Sequence, residues 1–209
     1  MFSLQTIFGK GDKFYGLLEA SAEAARQSTH ALITLVNAPV STRSLDEFRV
    51  ARRREKELFA QINEALVDTF VTALEREDIE ALAAALYKIP KTVEKFAERY
   101  VMFSDRLVDV EFASRAAMLE KATDVIVQMT AQLRSGFRLD VMRDLNERMQ
   151  SIESEADRLI LDLYRDLFTN ERDPARLLLR KDLFELLEKA IDRCRDAGNV
   201  IYAIVLKNS

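Results

Sequence analysis

Residues 173–208 read DPARLLLRKDLFELLEKAIDRCRDAGNVIYAIVLKN, and this stretch decides the fold class. Asp173 supplies a helix-capping side chain, and the ring of Pro174 suits the first helical position. Apolar residues then recur mostly at steps of three and four, the period of one buried helix face. These residues are Leu183, Leu187, Ile191, Cys194, Ile201 and Val205. The stretch predicts one long amphipathic helix that runs almost to the end of the chain.

Turn and capping signals divide the rest of the chain into five further helices. We expect them at residues 12–37, from 44 to about 70, from 75–78 onward, at 104–136 and at 140–170. Ser44 and Glu47 have the spacing of a capping box, which would open the second helix. Pro90 lies inside the third helix and should kink it, and Gly136 should end the fourth.

The composition favours helices and excludes several classes of protein. Among 209 residues only 5 are Gly and 3 are Pro, which leaves little material for hairpins and tight turns. The net charge of −4 gives no reason to expect nucleic acid as a partner. The single cysteine, the absence of a signal-peptide pattern and the absence of a long apolar run predict a cytoplasmic protein with no transmembrane segment.

The two halves of the sequence look alike, and this predicts an internal repeat. Three positions of the second helix align with three of the fifth: Glu55, Leu66 and Phe70 with Glu153, Tyr164 and Phe168. We therefore predict an all-α fold of six long helices, arranged as two repeated three-helix bundles over residues 1–103 and 104–209. The alternative is that any two amphipathic helices align this well, but the shared helix order and terminal aromatic favour a repeat.

An acidic stripe on the last two helices is the candidate site. Four residues of the sixth helix and two of the fifth share a face by their spacing: Glu188, Asp192, Asp196, Asn199, Glu153 and Asp157. Several hard oxygen ligands on neighbouring helices would suit Mg, Mn, Ca or ferric iron. The alternative is an ordinary solvated acidic face, and from spacing alone that alternative is favoured, because Asp-x-x-x-Asp is a weak pattern.

The pairs Glu153-x-x-x-Asp157 and Asp192-x-x-x-Asp196 resemble the E/D-x-x-x-D motifs of PhoU-like proteins. The tail from Asp192 to Asn208, and the turn at residues 76–79, resemble the branch of that family associated with Pit-type phosphate permeases. The resemblance covers nearly the whole chain in the same helix order. It implies two three-helix repeats, each able to hold metal ions or clusters at the bundle surface.

The first repeat departs from the family pattern. Glu55 matches Glu153, but Phe59, Tyr87 and Lys91 stand where Asp157, Asp192 and Asp196 stand in the second repeat. Two aromatic rings and a lysine are poor ligands for a cation. We therefore expect a divalent or ferric metal ion in the second repeat alone.

The resemblance implies a non-catalytic accessory or regulatory protein of inorganic phosphate transport. Its partner would be a Pit-type phosphate permease or a phosphate-signalling protein, which would bring it to the membrane periphery. Long amphipathic helices often associate, so a homodimer is one oligomeric state that the sequence allows. The rival hypotheses are a metal-free helical scaffold unrelated to phosphate and a carboxylate–metal phosphohydrolase. The single histidine, His30, argues against an enzyme.

Three further features have ordinary interpretations. His30 is expected on a helix surface, and Cys194 is expected to be buried as a small apolar side chain. The Gly9-Lys10-Gly11 stretch lacks the spacing of a phosphate loop and predicts a mobile N-terminal arm. The Arg52-Arg53-Arg54 run is either a solvated helix face or a contact for an anionic surface.

Overall fold

The computed structural model describes residues 4–209, with side chains from Lys13 onward. This part of the chain contains six α-helices and no strand, which confirms the predicted all-α class. The helices are α1 (Leu4–Asn37), α2 (Asp46–Asp68), α3 (Arg76–Met102), α4 (Ala113–Ser135), α5 (Leu139–Asn170) and α6 (Pro174–Asn208). Within the same residues, no helix has the length and apolar content needed to cross a membrane.

Two helix ends have the predicted chemistry. The Asp173 side chain accepts hydrogen bonds from the backbone N–H groups of Ala175 and Arg176, at 2.9 and 3.4 Å, and so caps α6. Gly136 follows α4 with a φ of 96°, a conformation that glycine adopts without steric cost. Pro90 lies within α3 and is buried, and the kink there stays a prediction.

The capping box at Ser44 was predicted wrongly. The α2 helix begins at Asp46, and no side-chain hydrogen bond caps it from the preceding residue. Instead the Ser44 hydroxyl accepts a hydrogen bond from the backbone N–H of Asp46 at 3.1 Å. This bond spans two residues, whereas a capping box spans three, so it makes a local turn just before the helix.

The predicted start of the fourth helix was also wrong. Residues 104–106 form one 3₁₀ turn, and α4 begins only at Ala113. Between them Leu107 and Phe112 are almost fully buried. Burial of these two apolar side chains fixes the non-helical connection against the core.

Two smaller differences concern helix ends. The α1 helix begins at Leu4 instead of near Asp12, so Gly9-Lys10-Gly11 is helical and does not form the predicted arm. The α2 helix ends at Asp68, two residues before the predicted end at Phe70. The second difference amounts to the one or two residues by which helix ends fray.

The six helices share one continuous apolar core. The helices α1, α2 and α3 pack on one another, as do α4, α5 and α6, and the two groups meet through α1 with α4 and α3 with α6. Lys207, near the end of α6, donates hydrogen bonds to Glu75 and Asp78 beside the start of α3, at 3.2 and 2.7 Å. The helices α3 and α6 therefore run antiparallel. The division into repeats at residues 103 and 104 stays a prediction.

Candidate metal centre

Three carboxylates meet where α5 packs against α6. One oxygen from each of Glu153, Asp157 and Asp192 lies within 4.8 Å of the other two. The first two residues are one helical turn apart on α5, and Asp192 faces them from α6. Buried apolar residues on the inner sides of both helices, such as Ala156 and Ile191, hold the two helices together beneath the carboxylates.

A guanidinium group lies among these carboxylates. The side chain of Arg195 donates to Glu153. Its nitrogens lie 3.4 Å from oxygens of both Asp192 and Asp196. A second arginine, Arg193, pairs with Asp196 alone at 2.9 Å. The acidic surface is thus partly neutralised by arginines of the same helix.

Burial and mutual repulsion favour the protonated forms of two acidic groups on α6. Burial first, and then the charges of Asp192 and Asp157, raise the pKa of Glu188 to about 7. Burial also raises the pKa of Asp192, and Arg195 opposes that effect. Several carboxylates that lie close together and half-buried favour either the uptake of a proton or the binding of a cation.

The structure brings together only some of the six predicted site residues. Glu153, Asp157 and Asp192 come together, and Asp196 joins them through Arg195. Glu188 lies close enough to interact electrostatically with Asp192 and Asp157. Asn199 is exposed. The role of all six as metal ligands stays a prediction.

The donor set fits a hard cation. Oxygens that lie up to 4.8 Å apart can bind one ion, because Ca²⁺ binds oxygens at 2.3–2.6 Å and opposite ligands lie at twice that distance. Cys194 is buried in the core beneath the site, as predicted, and burial raises the pKa of its thiol. The site therefore offers carboxylate oxygens and no thiolate, which suits Mg, Mn, Ca or ferric iron.

The place between α2 and α3 that the sequence aligns with this site is built differently. The rings of Phe59 and Tyr87 are in contact there, with centroids 5.0 Å apart. The guanidinium of Arg52 lies 4.1 Å above the Tyr87 ring and 3.5 Å from Glu94. An aromatic pair under a stacked arginine provides no set of ligands for a metal ion.

Glu55, the one acidic residue kept at this place, is fully buried. Among the residues that the structure describes, neither of its carboxyl oxygens has a hydrogen-bond partner. Burial raises the pKa of this carboxyl to about 8, against the opposing charges of Arg52 and Arg54. Glu55 is therefore mostly protonated at pH 7.

Two of these features were missed by the sequence analysis. Arg195 lies three residues after Asp192 and next to Asp196, so its spacing to α6 carboxylates was visible, but its contact with Glu153 on α5 was not. Arg52 was grouped with Arg53 and Arg54 as one surface run, yet Arg52 is buried and the other two are exposed. Its neighbour in space, Tyr87, belongs to a different helix.

A separate open cleft of about 820 Å³ lies beside α1 and α2. His30 lines it and, as predicted, is on the helix surface, where its Nδ1 lies 3.7 Å from a Glu120 oxygen. The carboxylates of the α5–α6 site are not part of this cleft.

Solved structures identify the class of fold. The chain superposes on a PhoU-like protein from Shewanella oneidensis MR-1 with a TM-score of 0.78 and 16% identity, over 93% of this chain and 99% of the other. It superposes on PhoU from Pseudomonas aeruginosa with a TM-score of 0.67 and 15% identity, over 98% and 97% of the two chains. The fold is PhoU-like.

Two proteins are related to this chain in sequence over almost its whole length. The chain is 26% identical to the UPF0111 protein YkaA of Bacillus subtilis strain 168, over 96% of this chain and 98% of that protein. It is 21% identical to a protein of Rhizobium meliloti strain 1021 named "Putative pit accessory protein", over 94% of each. No protein-family model matches the chain. The predicted resemblance to the PhoU-like branch associated with Pit-type permeases is confirmed.

Proposed function

We propose that this protein is a non-catalytic accessory or regulatory protein of inorganic phosphate transport. It acts by binding a Pit-type phosphate permease or a phosphate-signalling protein, in the cytoplasm and at the membrane periphery. The observation that carries the proposal is the full-length relation to a protein named as a Pit accessory protein, on a PhoU-like fold.

The α5–α6 carboxylates give this proposal a physical mechanism. A divalent or ferric cation held by Glu153, Asp157 and Asp192 would join α5 to α6 through bonds that the metal-free protein lacks. Such a link stiffens the second repeat and favours one conformation of its outer surface. The partner would then bind the metal-loaded and metal-free states with different affinity.

A second candidate function is favoured by one specific contact. Arg195 already pairs with Glu153, Asp192 and Asp196, so the acidic surface has a cation of its own. In that case the protein is a metal-free helical scaffold, and the acidic surface contacts a partner directly.

Co-purification tests the transport role. The tagged protein is expressed with a Pit-type permease from the same genome, and the permease is isolated from the membrane fraction in detergent. We expect this protein to remain bound to the permease through washing. Its complete loss from the permease, with an intact permease in the eluate, would contradict the role.

Calorimetry and chelation separate the two candidate mechanisms. We expect Mn²⁺ to bind the purified protein and to fail to bind an Asp192→Asn, Asp196→Asn double variant. Asp162→Asn is the matched control, since Asp162 is an exposed α5 carboxylate that pairs with Arg165. Capture of the permease that is unaffected by EDTA, but is lost on charge reversal of Asp192 and Asp196, would favour the scaffold.

The assembly state belongs to the same proposal. We expect a homodimer, and light scattering after size-exclusion chromatography measures it directly. Fully exposed apolar side chains such as Phe70 support self-association.

A further inference from the structure

Two of the three candidate metal ligands are already paired with an arginine side chain. Arg195 contacts two of them, Glu153 and Asp192, and also Asp196. Among the ion pairs of the described residues, no other basic side chain contacts carboxylates of both α5 and α6. Arg195 is therefore bound by two of the three residues whose carboxylates converge.

We propose that Arg195 is an internal competitor of the metal, so that an ion enters the α5–α6 site only by displacing this guanidinium. The inference rests on the proposed function, because it assumes that the carboxylates bind a cation. Arg195 would then set the affinity of the site for the metal ion. The structural change on binding would be the release of its guanidinium into solvent.

Geometry supports displacement over shared binding. A cation bound to Glu153 and Asp192 would lie within a few ångströms of the Arg195 guanidinium, and two like charges at that distance repel. The Arg195 side chain is about one-third exposed, at 33%, so it has a path into solvent. Release costs its pairing energy, which is modest for partly exposed ion pairs.

The place between α2 and α3 that the sequence aligns with this site also contains an arginine. There Arg52 lies over Tyr87, at the position aligned with Asp192, and pairs with Glu94. An arginine thus lies at both places, on α2 in the first half of the chain and on α6 in the second. Only in the second repeat is that arginine held by carboxylates that could bind an ion instead.

Metal affinity is the first measurement. Mn²⁺ is titrated by calorimetry into the wild-type protein, into Arg195→Met, and into Arg193→Met as the matched control. The control removes an equal charge from the same helix, but Arg193 pairs with Asp196 alone. We expect Arg195→Met to bind Mn²⁺ at least about tenfold more tightly than the wild type, since each tenfold needs only a modest change in interaction energy. Arg193→Met should change affinity much less.

Each outcome has one interpretation. If wild type and Arg195→Met bind equally, or if the variant binds more weakly, the competition is overturned while the metal-linked function stands. If no form binds Mn²⁺, both are overturned. If only Arg195→Met binds, the competition stands and the metal-linked function of the native protein fails.

A second readout follows the arginine itself and does not depend on affinity. The Nη–H signals of Arg195 in a ¹⁵N-labelled sample are assigned by their loss in Arg195→Lys, since the Nη nitrogens make its contacts with the carboxylates. We expect Mg²⁺ titration to move these signals to the position of a solvated arginine, while the Arg134 signals stay in place because Arg134 pairs with Glu19 between α4 and α1. An Arg195 signal that stays fixed while Mg²⁺ saturates the site would overturn the proposal. Circular dichroism confirms that each variant is folded.

Discussion

Substitution of Glu55 by glutamine should stabilise the protein, and the gain should grow with pH. Glu55 is fully buried, and no described side chain or backbone group forms a hydrogen bond with either of its oxygens. Its pKa rises from the ordinary 4.5 to about 8 because burial penalises the charged form. Glutamine has nearly the same shape as the protonated acid and cannot ionise.

The sign follows from the protons that each state holds. Below pH 4.5 Glu55 is protonated in both the folded and the unfolded protein, so it adds no pH dependence. Between pH 4.5 and about 8 the unfolded chain has lost a proton that the folded protein keeps, so the free energy of unfolding falls as pH rises. At pH 7 the accumulated loss is about 3 kcal/mol, and it levels off near 5 kcal/mol above pH 8.

Urea denaturation at pH 5, 6, 7 and 8 measures the effect, and urea is preferred because it does not screen charge. The difference between Glu55→Gln and the wild type should be small at pH 5 and reach about 3 kcal/mol at pH 7. Glu57→Gln is the control, since Glu57 is an exposed residue of the same helix with a side chain 54% exposed. Parallel curves for Glu55→Gln and wild type across this range would refute the reasoning.

Two other predictions concern α6. Asp173→Ala should cost about 1 kcal/mol in urea denaturation, because the backbone N–H groups of Ala175 and Arg176 lose their acceptor; an unchanged midpoint would show that water replaces the cap fully. Gly198→Ala should stabilise by about 0.5–1 kcal/mol, because alanine favours the helix and its Cβ would meet the sulfur of Met129 at 3.5 Å, an ordinary contact. A lower melting temperature for Gly198→Ala would show that α4 and α6 cannot accept the added methyl group.

The sequence by itself determined the features that depend on neighbours along the chain. The Asp173-Pro174 start of α6, the Gly136 stop of α4 and the burial of Cys194 were all predicted correctly. Each depends on spacing within a few residues, because helix hydrogen bonds and caps join residues three or four apart. The shared face of Glu153 and Asp157 follows from the same period.

Only the tertiary structure decided what meets across helices. The contact of Arg195 with Glu153, and the stacking of Arg52 on Tyr87, depend on how far each helix is rotated and shifted against its neighbour. Packing of side chains over the whole interface sets that rotation, so no local pattern reports it. The same holds for Glu55, which the sequence aligned with Glu153 and which helix packing buries completely.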